Sequence, residues 1–190
     1  MIEKVSVPEG KSGHWRVERF KHEGFAAMLS AIKDRHRACE EGEYTRLMRG
    51  GTLVMSDTPA EMRDHYEPVR RARGHVLIQG LGLGMVLQAV LKKPEVERVT
   101  VVELSEDVGA LVWPTYASDS RAELVIADAM TWKPPKGAHY GAVWHDIWDD
   151  LCSDNLSAMK TLTRRYARKC DWQGCWGREV IQYNVRRRGW

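Results

Sequence analysis

Between Gly74 and Tyr166 the chain alternates short Val/Ile/Leu-rich runs with stretches of helical periodicity, and this alternation restricts its fold more than any other feature. The strand-like runs are HVLIQG, RVTVVEL, AELVIAD and GAVWHDI. MVLQAVLKK, EDVGALVWPTY and NLSAMKTLTRRYARKC follow three of them with helical spacing, and the loop WKPPKG follows the other. Strands without a polar face fit a parallel sheet covered on both sides. Strand–helix units in series predict an open, Rossmann-like α/β sheet with right-handed crossovers. About five strands fit, and no antiparallel terminal hairpin is evident. The final stretch, DWQGCWGREVIQYNVRRRGW, is open between a helix and a last strand.

The part before Gly74 has a different grain. HWRVERF alternates like a short strand, and GFAAMLSAIKDRHRACEEG (Gly24–Gly42) has helical spacing. TRLMRGGTLVMSD predicts a β-hairpin turning at Gly50-Gly51. A helix then starts with Thr58 as N-cap, Pro59 in first place and Glu61 in third. The division expected is an N-terminal α+β segment, 1–72, and a Rossmann-like domain with a shortened C-terminal part, 73–190. The N-terminal segment is also a candidate homodimer interface.

Composition narrows the partners. With 29 basic and 26 acidic residues the formal charge is +3, too mild to imply a nucleic-acid partner. The basic runs RRYARK and VRRR are expected to be solvated helix faces. The four cysteines form no CxxC pair, so no metal site and a reducing compartment are expected. No apolar run reaches the length of a membrane span, and the N-terminus lacks the apolar core of a signal peptide. A cytoplasmic protein is the expectation.

The first strand–helix turn is Gln79-Gly80-Leu81-Gly82-Leu83-Gly84-Met85. Counted from Gly80, the sixth residue is Met85, so the dinucleotide pattern G-x-G-x-x-G/A fails. The pattern present, G-x-G-x-G, lets a nucleoside with an amino-acid tail lie across the backbone; the plainer alternative is a turn that only connects strand to helix. Three acidic residues favour the first reading. Glu103 ends the second strand, where a carboxylate can take two hydrogen bonds from a ribose diol. Asp128 follows the third strand and Asp146 the fourth. Any one alone could be a helix cap, but together they converge on one crevice beyond the strand ends.

Across Arg73–Leu156 these features resemble the class I S-adenosylmethionine-dependent methyltransferase superfamily. Its spermidine synthase-like (aminopropyltransferase) members are the most similar: VLIQGLGLGMVLQAVLKKPEVERVTVVELSEDV looks like their glycine loop, helix and ribose strand, and Asp146-Ile147-Trp148-Asp149 matches their D-x-x-D. Asp150 stands where they have Pro, Gln79 where the superfamily often has an acid, and the long C-terminal amine-binding part is missing. The resemblance implies a cofactor set of Gln79, Gly80, Gly82, Gly84, Glu103, Leu104, Asp128 and Ala129. Glu103 would bind the ribose and Asp128 the adenine. The cofactor implied is S-adenosylmethionine or its decarboxylated form.

A sulfonium already activates the group to be transferred, so the protein has to hold a nucleophile in line and remove its proton. Asp146 is the candidate base, with Asp149 beside it as a second catalytic carboxylate. Trp148 and Asp150 are candidates for binding a small-molecule acceptor, an amine among the options; Asp150 could equally cap the next helix. His145 faces away from Asp146 on the strand and is expected to be structural. Met55, Ser56 and Asp57 are expected to close over the cofactor. The expected activity is methyl transfer to a small molecule. Aminopropyl transfer, or cofactor binding or degradation without transfer, are the alternatives. The fourth strand lacks the N/D-P-P-Y/F pattern of enzymes that methylate nucleic-acid bases.

Overall fold

The computed structural model describes residues 2–24 and 39–188. Most of the helix expected over Gly24–Gly42 lies outside them. A small antiparallel sheet comes first: β1 (Gly10–Ser12), β2 (Trp15–His22), β3 (Gly42–Arg49) and β4 (Thr52–Ser56), neighbours in that order. β3 and β4 form the expected hairpin, with Gly50 at φ 58° in the turn. Two short helices follow, α1 (Pro59–Asp64) and α2 (Tyr66–Arg71). Thr58 stands at the N-cap of α1, but its side chain makes no capping bond. Glu61 reaches past it, its carboxylate accepting from the Ser56 amide at 3.0 Å and the Ser56 hydroxyl at 2.7 Å.

The strand–helix alternation then appears as expected: β5 (Gly74–Gln79), α3 (Met85–Leu91), β6 (Val96–Glu103), α4 (Glu106–Val112), β7 (Ala122–Ile126), β8 (Ala142–His145) and α5 (Asn155–Tyr166). The ambiguous C-terminal stretch is both things at once, a strand β9 (Gln173–Cys175) and a helix α6 (Arg178–Arg188). The five strands are all parallel, in the order β7-β6-β5-β8-β9. Strand order reverses between β5 and β8, which is where open α/β sheets place their ligands.

Two-residue periodicity sorts the core. Val76, Ile78, Val99, Val101 and Trp144 turn to one face, packed with Val86 and Val90 of α3 and Val108 and Val112 of α4. Leu77, Val102 and Val143 turn to the other, against Leu162 and Tyr166 of α5. Val17 and Leu47 of the small sheet join the first cluster, so that sheet covers the same face as α3 and α4. Among the described residues no helix is long and apolar enough to cross a membrane.

Candidate active site

A cavity of about 370 Å³ lies beyond the carboxyl ends of β5, β6 and β8, bordered by the hairpin residues Leu47, Val54 and Met55 and by α1. The glycine loop forms part of its wall. Gly80, Gly82 and Gly84 have φ of 98°, 52° and 77°, in the left-handed region where a side chain is strained. Each also has a protein neighbour where a Cβ would stand: the Asp146 carbonyl against Gly80, the Met55 sulfur against Gly82 and the Tyr116 ring against Gly84. Close approach is thus required by the protein itself, not only by a ligand. Met55 lines the cavity, and its sulfur accepts the Leu83 amide at 3.3 Å. Ser56 and Asp57, expected beside it over the cofactor, are turned elsewhere. Asp57 is buried and accepts from the amides of Val5 and Thr45, tying the N-terminal segment to the hairpin.

Glu103 ends β6 at the cavity wall, 9% exposed. The Leu81 amide donates to one carboxylate oxygen and the Ser105 amide to the other, both at 2.8 Å. Burial raises its pKa while these amides oppose the rise. Each oxygen keeps a second acceptor position for a diol. Leu104, highly exposed, lines the cavity next to it.

Asp128 and Ala129 also line the cavity, on the loop after β7. Asp128 folds that loop by accepting the Met130 amide at 2.8 Å. Arg165 of α5 grips the loop from behind, donating to the carbonyls of Ala129 at 3.1 Å and Met130 at 2.6 Å. The basic run RRYARK was expected to be a solvated face; Arg165 is instead a clamp.

Asp146 follows β8 directly and faces the cavity. The Trp144 indole donates to its Oδ2 at 3.3 Å. Burial pushes the carboxyl up to about 7, and the neighbouring charges of Glu61 and Asp64 add to the rise. Trp148 lines the cavity and also packs against Met159 beneath it. Asp149 is at the rim, paired with Arg49, whose guanidinium lies over the Trp15 ring at 5.4 Å.

Two of the expected site residues lie away from the cavity. Gln79 does not face the cavity: it is fully buried on the other side of the sheet, where its amide oxygen bonds His145 Nδ1 at 2.6 Å and its nitrogen donates to Tyr166 at 3.0 Å. Gln79 and His145 are register partners on β5 and β8, so they share a face, and the face with Ile78 and Trp144 belongs to the cavity. Asp150 turns away too, accepting from the Asn155 side-chain amide at 3.2 Å; it does not cap α5, whose N-cap is Asp154 with no side-chain capping bond. His145, fully buried, is structural as expected.

His65 escaped the sequence reading. It joins α1 to α2, is 1% exposed, and lines the cavity beside Asp146. Nothing in DHYEP points to this, because only the packing of α1 and α2 over β8 brings it there. Burial pulls its pKa down to about 4, so the ring is neutral. The cavity wall therefore carries the carboxyl groups of Glu61, Glu103, Asp128, Asp146 and Asp149 against one cationic side chain among the described residues, Arg49.

No protein-family model matches the chain. Among solved structures, the N-methyltransferase NodS from Bradyrhizobium japonicum WM9, in complex with S-adenosyl-L-homocysteine, is similar with a TM-score of 0.48 and 14% identity over 60% of this chain and 58% of its own. The 23S rRNA methyltransferase ErmE has a TM-score of 0.48 and 18% identity over 67% of this chain and 48% of its own. Spermidine synthase from Thermotoga maritima has a TM-score of 0.44 and 20% identity over 72% of this chain and 46% of its own. The chain matches less than two thirds of the length of each.

Proposed function

We propose that the protein is an S-adenosylmethionine-dependent transferase that moves a methyl group to a small molecule. One observation carries the reading: Glu103, at the tip of β6, is pinned by two amides with acceptor positions to spare, on the wall of a cavity at the strand-order reversal. That is the placement a ribose diol needs. The cavity's volume is in the range of small-molecule sites. Its surplus of carboxylates suits a cationic ligand.

When bound, the cofactor supplies an electrophilic carbon on a sulfonium sulfur. Glu103 would hold the ribose, and Asp128 and Ala129 the base. Asp146, kept half-protonated near pH 7 by burial, takes the proton of the acceptor's nucleophilic atom. Trp148 borders the acceptor side, and Asp149 adds negative charge at the rim. Aminopropyl transfer is the second reading, favoured by Arg49 being the one cation in the wall among the described residues: the decarboxylated donor has no carboxylate to satisfy.

Calorimetric titration with S-adenosylmethionine, its decarboxylated form and S-adenosylhomocysteine tests both. Preference for the carboxylated pair, lost in Glu103→Ala, is the expected result. Preference for the decarboxylated donor moves the assignment to aminopropyl transfer. No binding of any of the three removes the cofactor.

A further inference from the structure

His65 is buried, and its Nδ1 has no hydrogen-bond partner in the protein. A buried polar atom without a partner is costly, so the atom calls for one. The polar atom it faces is Oδ2 of Asp146, 3.8 Å away. The imidazole also stands edge-on to Trp144, with centroids 6.1 Å apart, and Trp144 donates to that same Oδ2. Two side chains thus converge on one carboxyl oxygen at the cavity wall, one bonded to it and one just out of reach.

We propose that His65 is a positioning residue for Asp146: its Nδ1 accepts the hydrogen of the protonated carboxyl and fixes how Asp146 faces the cavity. The division of labour follows from donor and acceptor chemistry. An indole can only donate, so Trp144 serves the ionised carboxylate. A neutral imidazole nitrogen can accept, so His65 serves the acid. At 3.8 Å the two atoms are just beyond hydrogen-bond distance, and a small rotation of Asp146 makes the bond without any ligand. The other charged or titratable groups around the pair are Glu61 and Asp64 on α1, Asp149 and Arg49 at the rim, and Cys175 on β9. Glu61 already accepts twice from Ser56, and Arg49 is held by Asp149. Burial holds the imidazole neutral down to about 4 and keeps the Asp146 proton up to about 7. Between those limits both partners are in the states the bond requires.

The consequence for turnover rests on the transferase reading, since only there does Asp146 receive a proton from an acceptor. The bond itself does not, and the test needs no ligand. In ¹⁵N spectra of the ligand-free protein, the His65 Nδ1 signal is expected to shift with pH around a midpoint near 7 while the ring stays neutral. Asp146→Ala should abolish that step. In carboxyl ¹³C titrations, His65→Ala should lower the Asp146 midpoint by about one unit, the size of one hydrogen bond. His65→Asn, whose amide oxygen can take the place of Nδ1, should retain it. A pH-independent Nδ1 signal, an unmoved midpoint in His65→Ala, or equal falls in the Ala and Asn variants overturns the proposal. Calorimetry with S-adenosylmethionine on His65→Asn separates the two ideas: absent binding there and in the unsubstituted protein defeats the transferase reading, while the titrations still decide the role of His65.

Discussion

At the scale of single residues, Gly80 has no substitute. Its φ of 98° strains any side chain, and the obstacle to a Cβ is the backbone carbonyl of Asp146, which cannot swing aside as a side chain can. Gly80→Ala is expected to cost about 3 kcal/mol or more in urea unfolding, strain and displacement of the β8 end together. A loss below about 1 kcal/mol would mean that the junction of β5 and β8 yields. Residue by residue, what was legible in the sequence is what strand geometry dictates. Glu103 could be placed because it ends a buried run after a glycine loop. Gln79 went to the wrong side, although the parity that correctly turned His145 away from Asp146 applies to it as well. His65 could not be placed, since its part in the site comes from how a helix junction lies over β8 and from no local pattern.

At the scale of elements, the loop after β7 depends on α5. Arg165 reaches it from a helix distant in sequence, brought there only through packing, and its guanidinium holds the carbonyls of Ala129 and Met130. Charge-assisted bonds of this kind are worth about 1.5–3 kcal/mol each. Arg165→Met is therefore expected to speed amide exchange over residues 129–132 and, if the proposed cofactor binds there, to weaken its binding about tenfold or more, which is about 1.4 kcal/mol. Unchanged exchange would show that Asp128 folds the loop alone. The succession of elements was legible throughout β5 to α5, because buried parallel strands and amphipathic helices have different periods. The last stretch was harder: β9 is three residues long and runs almost directly into α6, too short for a period to show.

At the scale of the whole molecule, the buried titratable groups pull stability in opposite directions. His65 and His145 are held near 4 against an ordinary 6.5, so the unfolded chain binds their protons first and stability falls as the pH drops below about 6.5 towards 4. Asp146 is held near 7 against an ordinary 3.8, so the folded chain keeps a proton that the unfolded chain has lost, and stability falls as the pH rises through that range. Asp146→Asn removes only the second loss. Relative to the unsubstituted protein it should gain up to about 4 kcal/mol between pH 4 and pH 8, read by urea denaturation at both; a gap that does not change with pH would refute the raised carboxyl. The ion pair of Arg49 and Asp149 acts at the same scale, because it joins the small sheet to the large one across 100 positions of sequence. Both of its side chains are about half exposed, whereas Glu103 is clasped by amides below. Dissolved salt screens charges at an open surface far more than those inside. Ionic strength therefore loosens the link at the cavity's rim and leaves the clasp around Glu103 alone: the two sheets can part at the edge while the floor keeps its shape.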